Sequence, residues 1–293
     1  MIEKLTRKHL KYHSKGATVV FKVLCCAIIA LVPFAVELKA NTFETSSVVE
    51  KRYTLVDDLF NPDDFSEFRN DPENINVLMK FYNEILGNEK FKILNAFAQP
   101  IVIDEFKGDK RFYYGSEEFI KSMKKEDRMI NAIQLNQNAF DNYNLNLKEG
   151  ELPIWETISY EKDIIPVLLG ADYNGIYEVG NTINADYYNK SFKLEVVGIL
   201  KKDSNINYKG NPKLALDNYI VIPYPEKLWT VDEDDFIFES ILYFAMINCD
   251  IATALDEETF IQEMKEIEAN IGFNNFFIVN ADGSKLTKDL LVN

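Results

Sequence analysis

Histidine is nearly absent from this chain: His9 and His13 are its only two, and both precede the first long apolar run. The rest of the chain has no imidazole, which excludes a Ser-His-Asp or Cys-His arrangement there and the ordinary histidine-bearing zinc site. Cysteine is scarce too. Cys25 and Cys26 fall inside the apolar run, leaving Cys249 as the one thiol elsewhere. A lone thiol closes no internal disulfide, so the fold must rest on its core, and Cys249 reads as a buried small hydrophobe at the end of an apolar strand. A phosphate-binding loop is missing its key residue. Gly175-x-x-x-x-Gly180-Asn181-Thr182 has the glycine spacing, but Asn181 stands where a lysine would reach the phosphates. The stretch reads as a turn between strands, and no ATPase activity is expected of this chain.

Positive charge is lacking beyond the amino end. Residues 1 to 22 hold six Lys/Arg against Glu3 alone, while the remaining 271 residues hold 26 basic groups against 46 acidic, a net of −20. Such a body repels phosphate backbones, so no nucleic acid is expected as a partner. With this many carboxylates, neighbours such as Asp63 and Asp64, or Glu161 and Asp163, read as solvated surface rather than a glycosidase pair. The acidic run Asp232 to Asp235 lacks the glycine and distal glutamate of a calcium loop. No catalytic residue, metal site or cofactor is assigned, and the chain is not read as an enzyme.

What is present in quantity is apolar and aromatic: 47% of residues are hydrophobic, with 21 Phe, 15 Tyr and 2 Trp. That is enough for a sizeable core. Ala17 to Val36 forms a twenty-residue stretch whose only charge is Lys22. It is long enough to cross a bilayer, and the basic lead before it favours a cytoplasmic amino end with the acidic body outside. A cleaved signal peptide is the competing reading. Leu38 and Ala40 make a poor cleavage site, so a retained single-pass anchor in the cell membrane is preferred.

The middle of the chain repeats one strand-and-turn logic. Leu147-Lys148-Glu149-Gly150, Pro166-Val167-Leu168-Leu169-Gly170, Gly180-Asn181-Thr182-Ile183, Leu194 to Leu200 (Leu-Glu-Val-Val-Gly-Ile-Leu) and Asn218 to Pro223 follow one another. Apolar runs of β-branched or aliphatic residues closed by Gly or Pro are how short buried strands look. In order and spacing these pieces resemble the extracytoplasmic domain of MacB/FtsX-type ABC-transporter permeases.

On either side the order is strand, helix, strand. Before the module, Val48 to Val56 reads as a strand broken by Asn61-Pro62-Asp63-Asp64. A helix follows, with Asp71 as cap, Pro72 at its first position, a face of Ile75, Leu78, Met79, Tyr82, Ile85 and Leu86, and a stop at Gly87. Strands are expected at Phe91 to Ala98, Ile101 to Ile103, Phe112 to Tyr114 and Met129 to Leu135, with a Ser116-capped helix reaching Lys125. After it, Ser240 to Asn248 reads as a strand, Asp256 caps a helix carrying Phe260, Met264, Ile267 and Ile271 that ends at Gly272, and Phe276 to Val279 is a strand. The aromatic pairs in Phe112-Tyr113-Tyr114 and Tyr187-Tyr188 read as core rather than as a ligand platform.

The expected fold is α+β: a split ferredoxin-like (porter-like) layer from residues 39–135 with 231–293, interrupted by a β-rich subdomain at 136–230. A basic lead at 1–16 and one transmembrane helix at 17–38 precede it. The resemblance implies a permease-family protein whose outer domain couples a cytoplasmic ABC ATPase to substrate export, extraction or signalling, with further permease helices or a second subunit as partners. A homodimer is compatible with the same reading. The alternative is a membrane-anchored extracellular binding or adaptor protein with this fold and no transport role; a secreted acidic hydrolase ranks last. Leu135, Asn136, Val231 and Asp232 mark the two chain crossings and are the candidate hinge, on the expectation that polar residues there bury little apolar surface.

Overall fold

Asp71 and Pro72 open the longest helix of the computed structural model, which describes residues 50–59, 61–162, 164–188, 190–208, 211–231, 235–280 and 285–286. The basic lead and the apolar run at 17–36 lie outside the described residues. Among these, no helix is long and apolar enough to cross a membrane.

Along the chain, β1 (Lys51–Asp57) leads to α1 (Pro62–Arg69), α2 (Pro72–Gly87) and β2 (Lys92–Leu94). Short strands β3 (Ala96–Phe97) and β4 (Ile101–Ile103), helix α3 (Glu117–Ser122), β5 (Met129–Ile130), β6 (Ala132–Leu135) and α4 (Gln137–Asn142) come next. The middle holds β7 (Leu147–Gly150), β8 (Ile164–Leu169), β9 (Thr182–Tyr187), β10 (Lys190–Leu200), β11 (Asn205–Tyr208), β12 (Asn211–Ala215) and β13 (Ile220–Pro223). The chain closes with α5 (Phe236–Ile247), β14 (Asp250–Thr253), α6 (Glu257–Ile271), β15 (Phe276–Asn280) and β16 (Lys285–Leu286).

One sheet has the order β16-β15-β1-β14-β2, every neighbour antiparallel. Its helices pack on one face because their apolar residues recur at helical spacing. On α2 the buried set is Ile75, Leu78, Phe81, Tyr82 and Ile85; on α6 it is Phe260, Met264 and Ile267. Tyr53 of β1 stacks flat on Phe260, with ring centroids 4.1 Å apart, and Phe81 meets Phe273 and Phe276. Caps fix both helices: the Asp71 side chain accepts from the Glu73 amide at 2.9 Å, and Gly272 ends α6 at φ 84°, donating to the Glu268 carbonyl. Asn61-Pro62 begins α1 rather than only breaking a strand, since Asn61 accepts from Asp63 N and Pro62 sits at the first helical position.

The stretch expected as a strand at Ser240 to Asn248 is instead most of α5. All residues from Phe238 to Ile247 are buried. A helix covered on every side shows no polar face, so its sequence carries none of the 3.6-residue periodicity that distinguishes helix from strand. Its Phe244 meets Phe65 and Phe68 of α1, while Phe238 at its other end meets Tyr160, Tyr187 and Phe192. Phe112 closes a 3-10 turn rather than lying in a strand, and only Tyr113 bridges, to Ile130.

The second sheet closes into a barrel. Ala96 lies opposite Leu135, Phe97 opposite Gln134, Ile101 opposite Ile130 and Val102 opposite Met129, so the two ladders share one antiparallel register. β3–β4 and β5–β6 are thus two long ribbons. From the second ribbon the pairing continues through β13, β8, β10 and β9, and β9 returns to β4 of the first. Side chains alternate accordingly: Phe192, Leu194 and Val196 are buried inside, while Ser191, Lys193 and Glu195 face out. A ring this small leaves room for side chains alone. Its outer face is partly covered too, where Ile133, Leu135, Leu168 and Val221 meet Phe140 of α4, Trp155 and Leu216.

This barrel moves the expected subdomain boundary. Residues 96–135 pair within the barrel, not with the helical layer, so the first crossing between sheets lies at Asn95 instead of near residue 135. The pairing that decides this joins segments whose sequence patterns carry no register information.

Candidate functional site

The two crossings converge on α2. At the first, Asn95 is the single residue between β2 and β3 and is almost wholly buried. Its Oδ1 accepts from the Tyr82 hydroxyl at 2.7 Å and its Nδ2 donates to the Met246 carbonyl of α5 at 2.5 Å. Burial pushes the Tyr82 phenol well above its usual range, so it stays protonated and remains a donor. The Asn95 amide donates to Asn136 Oδ1 at 3.0 Å, and Asn136 Nδ2 donates to the Ile93 carbonyl at 2.9 Å. The same Oδ1 caps α4 by accepting from Ala139 N.

The second crossing runs from Tyr224 toward Asp235. Asn83 of α2 brackets Leu228, donating from Nδ2 to its carbonyl at 2.9 Å and accepting from its amide at 3.0 Å. Asn76, two helical turns earlier, accepts from Val231 N at 3.3 Å. Trp229 donates from its indole to the buried Glu239 carboxylate, and the Tyr243 hydroxyl donates to the Trp229 carbonyl. Burial first, and then the Glu239 charge, push Tyr243 up, which keeps it protonated for that bond.

These contacts change the basis on which a hinge was expected. Leu135 is fully buried and its carbonyl accepts from Tyr224 N at 2.8 Å; Asn136 is buried and carries the three bonds described above. Little exposed polar surface is left at that position. Val231 is half-buried on α2, and Asp232 lies outside the described residues. The residues missed at sequence level are Asn76, Asn83 and Asn95. Their one signal is Asn76 and Asn83, seven positions apart on one side of an otherwise regular amphipathic helix.

A third contact ties α5 to the barrel. Lys190, which opens β10, donates to the Tyr160 carbonyl at 3.0 Å, pairs with Asp235 just before α5, and lies 5.3 and 5.1 Å above the Phe192 and Phe238 rings. Lys190→Met should keep the packing but lose the ion pair and the cation–π contacts, lowering stability by about 1–2 kcal/mol. Urea denaturation followed by tryptophan fluorescence measures this; an unchanged midpoint would show that the Lys190 contacts add nothing to stability.

The other residues singled out from the sequence lie apart from these contacts. Asp63 and Asp64 lie in the exposed first turn of α1, and Asp163 is outside the described residues. Among the described residues, no three His, Cys, Asp or Glu side chains gather closely enough to hold a metal ion. Phe112, Tyr187 and Tyr188 are buried in the core rather than exposed. Gly175 and Gly180 both take positive φ in the turn from β8 to β9. Cys249 is buried, and burial pushes its thiol up.

No family model matches this chain, and no curated protein matches it. Among solved structures it is similar to the periplasmic region of MacB from Actinobacillus actinomycetemcomitans, at 13% identity and a TM-score of 0.41, over 79% of this chain and 89% of that one. It is also similar to the extracellular domain of the noncanonical ABC-type transporter YknZ from Gram-positive bacteria, at 11% identity and a TM-score of 0.33, over 76% of this chain and 96% of that one.

Proposed function

We propose that this chain is the extracytoplasmic part of an ABC-transporter permease-family membrane protein, held by an anchor at residues 17–38. It couples a separate cytoplasmic ATPase to export, extraction or signalling outside the membrane. One observation carries the reading: the sheet order β15-β1-β14-β2, with α2 and α6 on one face, interleaves two strand-helix-strand units, and the barrel is inserted between β2 and α5. We read this order as a split ferredoxin-like layer interrupted by a β-rich body, the architecture the sequence resemblance implies. Tyr82 at the first crossing and Asn76 and Asn83 at the second supply the coupling, because a tilt of α2 reaches both crossings at once.

Purification of the full chain from native membranes tests this. A cytoplasmic ATPase and a multi-helix membrane subunit should co-purify in fixed ratio. Recovery of the chain alone, from membranes where such an ATPase is present, would favour the membrane-anchored binding protein instead.

A further inference from the structure

Large apolar side chains are exposed together where β7 leaves the barrel. Leu152 is 47% exposed, Ile154 66% and Val179 36%. Backbone bonds bring their segments to one point, the bulge of β10 at Val196 to Gly198: Glu151 N donates to the Val197 carbonyl at 2.9 Å and Gly180 N to the Val196 carbonyl at 2.7 Å. Trp155, buried against Phe140, fixes the turn that carries Ile154. The apolar group is rimmed by exposed Glu149, Glu151, Glu178 and Glu195, and among the described residues none of these four carboxylates pairs with a Lys or Arg. Alongside lies an open sheet edge, since β7 pairs with β10 on one side and with no other described strand.

Each feature constrains the occupant. An unpaired edge offers backbone donors and acceptors to an extended segment. Aliphatic side chains clustered in water gain from apolar cover. Four carboxylates that form no ion pair among the described residues attract cationic groups and repel anionic lipid, nucleic acid and a second copy of this acidic chain. We infer that this surface, independently of the transport reading, takes an extended segment of another protein in which Lys or Arg alternates with aliphatic residues, added as a strand to β7. The aliphatic residues cover Leu152, Ile154 and Val179, and the cationic ones lie among the glutamates.

A fluorescent nonapeptide of alternating Lys and Val, an alternating Glu and Val peptide, and a Lys/Val peptide with its residues in two blocks are titrated against the full chain in detergent. Anisotropy should show saturable binding of the first alone, weakened by salt. Glu149→Gln with Glu178→Gln should weaken it at least about tenfold, as should Leu152→Ser with Ile154→Ser, each with unchanged circular dichroism and melting. The variants change separate contributions, so either remains informative if the other misfolds. Absence of binding, equal binding of the acidic or block peptide, or binding unaffected by both variants overturns the inference. So does self-association in sedimentation, or capture by phosphatidylcholine vesicles, that the Leu152→Ser/Ile154→Ser variant abolishes, because the surface would then belong to a second copy or to lipid.

Discussion

Asn95→Leu should lower the unfolding free energy by about 3–5 kcal/mol, because two buried partners lose their hydrogen bonds at about 1–3 kcal/mol each while almost no volume is lost. Those partners are the Tyr82 hydroxyl on α2 and the Met246 carbonyl near the end of α5, and neither helix offers a substitute in that dry setting. The two tryptophans report from different places, Trp155 on the outer face of the barrel and Trp229 at the second crossing. Single-tryptophan versions carrying Trp155→Phe or Trp229→Phe should unfold in urea with coincident midpoints in the parent, since Asn95 and α5 join the bodies. Adding Tyr82→Phe to Asn95→Leu should recover part of the loss by removing one orphaned group. A loss below about 1 kcal/mol, or no recovery in the double variant, would mean that water already serves these groups.

How much of this was legible in the sequence depends on whether the deciding contact is local. Helix α2 was readable because Asp71, Pro72 and the spacing of Ile75, Leu78, Tyr82 and Ile85 state its start, face and partner side within sixteen residues. β8 was readable as an apolar run closed by Gly170, and β10 as an apolar run with Gly198 near its end. In β10 the burial alternates from Phe192 to Val196 as a strand with one face in the core requires. Helix α5 was not readable, because total burial erases the very contrast that periodicity measures. Closure of the barrel was hidden for another reason. It rests on residues 96–102 meeting 129–135 in one register, and each stretch is interrupted, at 98–100 and at Asn131, so neither looks like a long strand.

The candidate site shows the same division. Leu135 and Asn136 were singled out because a polar tract follows β6, yet Asn136 turns inward to hold Asn95 and cap α4. An asparagine on the surface and one satisfying a buried turn have the same composition; only the position of β2 tells them apart. The exposed Leu152, Ile154 and Val179 were unreadable for the converse reason. Apolar residues near strands are expected in the core, and here the bulge of β10 turns their loops outward.

Gly150→Ala should open one edge of the barrel sheet, costing about 3 kcal/mol or more from left-handed backbone strain plus overpacking. Gly150 ends β7 at φ 83°, and a Cβ there would lie 2.2 Å from the Val197 carbonyl oxygen and 2.6 Å from the Gly198 Cα. Both obstacles are backbone, so no rotamer change relieves them; β7 must separate from the bulge of β10, opening the pairing from Gly198 to Leu200. Gly175 is the matched control. It has the same φ of 83°, but a Cβ there meets nothing within 4 Å, so Gly175→Ala should cost only about 1 kcal/mol, the strain alone. The difference between the two variants therefore isolates the close approach of β7 to β10. Urea titrations give the two costs, and hydrogen exchange at Glu149, Ile199 and Leu200 should quicken in the first variant and not in the second. Equal costs, or unchanged exchange in β10, would show that β7 does not pack on the bulge as closely as its backbone geometry requires.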